Sequence, residues 1–230
     1  ILFESLAPDL VADDGNSTWD AFRLAPDGRI SALSRDLVGQ TPGGVSLGPA
    51  LSPDGRLVLF DSNAPGIVAA DLNGVRDVFV RNLATGAVQL VSASASGTPG
   101  NGDSFAGRFT PDGRGVLFES LAANLVPGDT NGTRDLFLKD LASGAITRVS
   151  VGPAGEEAHG QSGGGSLSAD GRWLLFESNA PNLVSGDTNG AYDIFLKDLV
   201  TGAVRRLSVA AAGSQANGHS LRAHFTPDES

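Results

Sequence analysis

The sequence predicts an all-β fold, a β-propeller of four blades with four antiparallel strands in each, and three observations carry that expectation. Phenylalanines at 22, 79, 137 and 195 are spaced by 57, 58 and 58 residues, a sequence period that must be read before any single motif. The 31 glycines and 12 prolines punctuate short apolar runs, and no amphipathic stretch of helical length lies between them. Tight-turn signals fall at the same place in every unit. In register the units run about 1–56, 57–114, 115–172 and 173–230, and together they make one domain.

The third unit shows the elements most clearly. Strand one, around Gly107 to Thr110, ends in Pro111-Asp112-Gly113, where glycine tolerates the positive φ of a tight hairpin. Strand two follows as GVLFES, Gly115 to Ser120, and strand three as DLFLKDL, Asp135 to Leu141. The turn Ala142-Ser143-Gly144 leads to strand four, Ile146 to Ser150. The other units match in register: Leu51, Phe109, Leu167 and Phe225 on strand one; Phe3, Phe60, Phe118 and Phe176 on strand two; Ser34, Ser92, Ser150 and Ser208 ending strand four. Ten of the eleven phenylalanines sit at such positions, which marks them as packing between sheets rather than a cofactor box. The first unit has lost a residue between Phe22 and Gly28, so its third strand is the least regular.

The chain opens inside a strand-two copy, ILFES, and ends after a strand-one copy, HFTPDES. Pairing of Arg222–Thr226 with Ile1–Ser5 would close the ring and leave no open sheet edge there. The competing expectation is a fragment, or a half-ring completed by another chain. A start at Ile1, with no methionine or leader, points to a processed or excised piece.

Composition narrows function. The 26 acidic and 16 basic residues leave a net charge of −10, which argues against a nucleic-acid surface and favours cations as partners. Without cysteine there are no disulfides or thiolate metal sites, and no apolar run is long enough to span a membrane. Antiparallel strands alternate their connections between the two faces. The long links, two-to-three (Leu121 to Arg134) and four-to-next-one (Val151 to Gly165), therefore emerge together, and that face is expected to make contacts. Ser104, Ser162 and Ser220 end the second loop, as turn caps rather than nucleophiles.

The first long loop repeats Asp-x-Asn-x-x-x-Asp: Asp14, Asn16, Asp20; Asp71, Asn73, Asp77; Asp129, Asn131, Asp135; Asp187, Asn189, Asp193. One reading is a turn whose Asn-Gly takes positive φ while the aspartates bond local amides. The other is a calcium site, since oxygen ligands at positions one, three and seven, with a carbonyl at five, suit a hard cation with a flexible shell. Magnesium, with its stricter octahedron, fits less well. Glu4, Asp61, Glu119 and Glu177, near the end of strand two, would complete the shell or hold the loop.

Ser52-Pro53-Asp54-Gly55, Phe60 with Ser62, Asp77-Val78-Phe79, and Asp198-Leu199 with Thr201-Gly202 together resemble the TolB-like propeller repeat across essentially the whole chain. The first blade departs from the pattern, and in the third unit Ala169 replaces the proline. The acidic loops are more loosely similar to the calcium loops of integrin-type propellers. The resemblance implies a bacterial secreted, periplasmic or envelope protein of a family that binds proteins or peptides, or gates an attached peptidase. Family likeness assigns no activity.

His159, His219 and His224 occupy no equivalent positions, and the acids follow the repeat symmetry that an active site normally breaks. Trp19 and Tyr192 are possible contact aromatics at the positions held by Arg76 and Arg134 in the other blades. The expectation is a non-enzymatic, calcium-stabilised scaffold module presenting one loop face to a protein or glycan partner. The alternative is the accessory propeller of a peptidase-type hydrolase whose catalytic domain lies elsewhere.

Overall fold

In the computed structural model, which describes residues 1–211 and 213–226, fifteen strands form four antiparallel sheets, with no helix among the described residues. The first blade has three strands, β1 (Leu2–Ser5), β2 (Asp20–Leu24) and β3 (Ile30–Ala32). The second comprises β4 (Ser46–Leu51), β5 (Leu57–Ser62), β6 (Asp77–Asn82) and β7 (Val88–Leu90). The third comprises β8 (Ser104–Phe109), β9 (Gly115–Ser120), β10 (Asp135–Asp140) and β11 (Ile146–Arg148). The fourth comprises β12 (Ser162–Leu167), β13 (Trp173–Ser178), β14 (Asp193–Asp198) and β15 (Val204–Arg206). This is the architecture of a four-bladed β-propeller. Among the described residues no helix is long and apolar enough to cross a membrane.

Local chemistry explains the hairpins. At the first turn of the third blade the Thr110 hydroxyl donates to Asp112 at 2.6 Å, Asp112 accepts from the Arg114 amide at 3.0 Å, and Gly113 takes φ 72°. The serine or threonine and aspartate of the repeated turn thus brace each other, leaving the glycine to reverse the chain.

The phenylalanines form the radial core. Phe60 and Phe79, Phe118 and Phe137, and Phe176 and Phe195 lie opposite each other in register and stack at 5.6, 5.7 and 5.6 Å. Each pair presses on the preceding blade: Phe118 and Phe137 meet Leu59, Val78 and Val80, while Phe176 and Phe195 meet Leu117 and Leu136. In the first blade Phe3 and Phe22 stack at 5.5 Å, but Phe3, Ala7 and Leu10 are only half-buried where the corresponding residues of later blades are buried.

The expected pairing of Arg222–Thr226 with Ile1–Ser5 is not formed. Instead the Arg222 amide donates to Glu177, and Ala223 and Phe225 pack on Leu175, Ile194 and Leu196 of the fourth blade. The Glu177 bond continues a contact repeated at each junction, in which a strand-two carboxylate reaches forward to a backbone amide. Glu4 accepts from Gly48 at 2.7 Å, Asp61 from Ala106 at 3.0 Å and Glu119 from Gly164 at 2.9 Å. Arg222 occupies the next position in that series, so its segment is held by the blade before it, without any contribution from β1.

A second tie runs backwards. The basic residue of strand three reaches a carbonyl of the previous blade: Arg81 to Arg35, Lys139 to Ala93 at 2.7 Å, and Lys197 to Val151 at 2.6 Å. Burial pushes the Lys197 ammonium down to about 8, with Glu156 opposing the shift. Because this value lies below that of an unfolded lysine, the unfolded chain binds more protons between about pH 8 and 10.5, and stability should rise with pH across that window. Urea melts of the wild type and Lys197→Met at pH 7.5 to 10.5 check this, the variant lacking that share of the rise.

Candidate functional site

Both sets of long loops emerge on one face and are stitched together there. The loop asparagine donates its side-chain amide to a carbonyl of the adjoining loop: Asn16 to Pro42, Asn131 to Ala158 and Asn189 to Ala216 at 3.0 Å, and Asn73 to Gly100 at 2.8 Å. Ser104 and Ser162 are buried at the start of strand one, where their hydroxyls pair with Ser120 and Ser178 at 2.8 and 3.0 Å. The Ser220 amide donates to the Tyr192 carbonyl at 2.7 Å, as the Ser104 and Ser162 amides do to those of Arg76 and Arg134 at 2.7 and 2.8 Å.

The last aspartate of each acidic motif is fully buried at the head of strand three. Its Oδ1 accepts from the serine after strand four, as in Ser34 to Asp20 at 2.7 Å and Ser150 to Asp135 at 2.6 Å; Ser92 to Asp77 and Ser208 to Asp193 repeat the bond. Its Oδ2 turns to the loop. Asn73, Asn131 and Asn189 donate to that oxygen in Asp77, Asp135 and Asp193 at 2.6, 2.9 and 3.0 Å. Their own Oδ1 atoms accept the amides of Val75, Thr133 and Ala191. These asparagines therefore turn nitrogen, not oxygen, toward the carboxylate and act as braces.

Two residues that the sequence reading missed complete the picture. In the third blade the ligand oxygens of Asp129, Asp135 and Glu157 lie within 4.8 Å of one another, and the Arg148 guanidinium is set among them. Its Nη1 is 3.1 Å from Asp129, 3.5 Å from Asp135 and 2.6 Å from Glu157. In the fourth blade Arg206 lies 3.3 Å from Asp187 and 3.7 Å from Asp193, and Gln215 donates to Asp187 at 2.8 Å. Register places Ala32, Leu90, Arg148 and Arg206 opposite Phe22, Phe79, Phe137 and Phe195, so the first two blades carry an apolar side chain at this position.

Electrostatics follow these differences. Burial pushes Asp129 up to about 6 against the pull of Arg148, with Asp135 and Glu157 adding to the rise. Burial also opposes charge on Glu157, but the Thr130 hydroxyl and amide, Arg148 and the Asn131 amide outweigh it and hold the carboxyl at about 2. In the second blade burial raises Asp77 to about 6 despite bonds from Ser92 and Asn73, and the neighbouring Asp71 carboxyl raises it further.

Glu4, Asp61, Glu119 and Glu177 serve the blade junctions described above instead of the acidic loops. Arg76 pairs with Asp61 at 2.9 Å and Arg134 with Glu119 at 3.1 Å, and both guanidinium groups lie over Phe105, the one phenylalanine outside the repeated positions. His219 accepts from the Tyr192 amide at 2.9 Å. The Tyr192 hydroxyl and Gln161 side chain are 2.8 Å apart, which positions that aromatic against its own loop face. Among the described residues, the one group of three or more acids, histidines or cysteines whose ligand atoms lie close enough to share a metal is that of Asp129, Asp135 and Glu157.

No protein-family model matches the chain, and no curated protein sequence does. Solved structures do. The putative TolB from Agrobacterium tumefaciens superposes with a TM-score of 0.53 at 19% identity, over 84% of this chain and 56% of that one. A puromycin-hydrolyzing peptidase of Mycobacterium tuberculosis gives 0.50 at 14% identity, over 82% of this chain and 24% of the other. The chain thus spans about half the length of the first and a quarter of the second. These likenesses show a TolB-like propeller fold.

Proposed function

We propose that this chain is a non-enzymatic propeller module that binds a protein partner through the loop face of its first two blades. The observation that carries the reading is the apolar surface there. Trp19, Leu37, Val38 and Leu72 are 43%, 67%, 78% and 89% exposed, and all belong to the long loops of those blades. The Leu37 amide donates to the Gly66 carbonyl at 3.1 Å, bringing the turn at 36–39 against the loop that carries Leu72. Large apolar side chains gathered on one face of a rigid scaffold mark an interaction surface. Three of the four are aliphatic, which suits a protein surface better than a glycan, whose rings are generally met by aromatic planes.

The acids support the non-enzymatic reading, since each strand-three aspartate is committed to a serine and, in the later blades, to an asparagine or arginine. The TolB-like resemblance favours a bacterial secreted or envelope setting. As a test, a double variant, Leu37→Asp with Leu72→Asp, is compared with the wild type for proteins retained from a bacterial envelope extract and for affinity to the one recovered. At least tenfold weaker binding by the variant is expected. Equal binding, or turnover of peptide or glycoside substrates by the wild type, would overturn the reading.

A further inference from the structure

We propose that the first blade holds one divalent cation of calcium's chemistry between Asp14 and Asp20, in the place that Arg148 and Arg206 fill in the third and fourth blades. The inference is independent of the partner-binding reading. Asp20 is fully buried, its Oδ1 is taken by Ser34, and its Oδ2 has no hydrogen-bond partner. An ionised buried carboxylate in that condition calls for a positive charge.

Each of the other blades meets this demand differently. The third and fourth supply a guanidinium. In the second, Asn73 donates to the inner carboxylate, Asp77, and burial together with Asp71 raises its pKa to about 6, which favours a neutral carboxyl. The first blade has neither device. Ala32 stands where the arginines stand, and burial raises Asp20 against the pull of Ser34 and Asn16, with Asp14 adding to the rise and no cationic side chain among the influences that offset it. Arg35, which follows Ser34 in the chain, is engaged by Asp13 at 3.1 Å and by the Gly39 carbonyl.

The loop is also built differently here. Ser17 replaces the glycine of the other three loops, and Gly74, Gly132 and Gly190 have φ of 71°, 63° and 64°, a region Ser17 does not enter. Asn16 keeps the bond to the adjoining loop, donating to Pro42, but makes no bond to Asp20 Oδ2 of the kind its counterparts make to Asp77, Asp135 and Asp193. The Thr41 hydroxyl lies 3.2 Å from Asp14 Oδ1 and 2.9 Å from the Asp13 carbonyl, on the loop position that Glu157 and Gln215 hold in the later blades. Two carboxylates, a hydroxyl and carbonyls are an all-oxygen set, which selects a hard cation with a flexible shell over zinc or copper.

Terbium luminescence tests the site directly, because Trp19 adjoins Asp20 and can sensitise an ion bound there, whereas Trp173, the other tryptophan, is in the fourth blade. The full chain is titrated with terbium, then with calcium as competitor. The expected result is saturable emission displaced by calcium at about micromolar to millimolar concentrations. Asp14→Asn should weaken terbium binding at least tenfold. Ala32→Arg, which installs the later blades' guanidinium, should do the same while keeping the β-sheet circular dichroism. Absence of calcium-displaceable emission, or a titration that Asp14→Asn leaves unchanged, would overturn the proposal.

Discussion

Replacing Arg148 with alanine is expected to lower unfolding free energy by about 3–5 kcal/mol, among the largest effects of any single polar substitution in the chain. The side chain is 8% exposed and faces three carboxylates, of which Asp135 is fully buried and Asp129 is 4% exposed at its side chain. Removing one partner of a buried ion pair strands the other, and here one guanidinium serves three acids. Arg148→Lys should recover only part of the loss, because an ammonium is a point charge and cannot present a planar fork to several oxygens. Urea denaturation at pH 7.5 measures both variants. Calcium offers a second readout: if the guanidinium does the work of a cation, millimolar calcium should raise the stability of Arg148→Ala more than that of the wild type. A wild-type denaturation midpoint for Arg148→Ala would show that the three acids are neutralised in some other way.

The sequence made the blades readable and left the charge balance hidden, for physical reasons. Phe60, Phe118 and Phe176 recur because each blade needs a large apolar side chain against the one before it, and that need prints a period on the chain. The hairpins are readable for a similar reason, since Thr110, Asp112 and Gly113 form one local unit within four residues. Arg148 is separated from Asp135 by a whole hairpin, and only the β10–β11 register shows that it returns to the acidic loop. A signal was present: the position reads Ala32, Leu90, Arg148, Arg206, breaking the repeat symmetry that the acids keep. The forward reach of Glu4 and Glu119 and the backward reach of Lys139 were equally concealed, because these contacts cross between blades and follow no local turn chemistry. The same applies to Arg222–Thr226, whose strand-one sequence is held by the fourth blade through Glu177 and the apolar contacts of Ala223 and Phe225.

The core offers the second large effect, and the repeat supplies its own control. Phe118→Ala is expected to cost about 3–5 kcal/mol, since the ring is fully buried, stacks on Phe137 at 5.7 Å and fills the junction with Leu59, Val78 and Val80 of the second blade. A void there cannot collapse easily, because its walls are two hydrogen-bonded sheets rather than mobile loops. Phe3→Ala removes the same side chain from the same strand position of the first blade, yet Phe3 is half-buried and its neighbours Ala7 and Leu10 are half-buried too. Its cost should be about half that of Phe118→Ala or less, in line with the smaller apolar area lost. The difference between the two denaturation midpoints therefore reports how far the outer face of the first blade is covered in solution. Equal losses would mean that this face is packed as tightly as an internal junction, which would require a neighbouring sheet against Phe3.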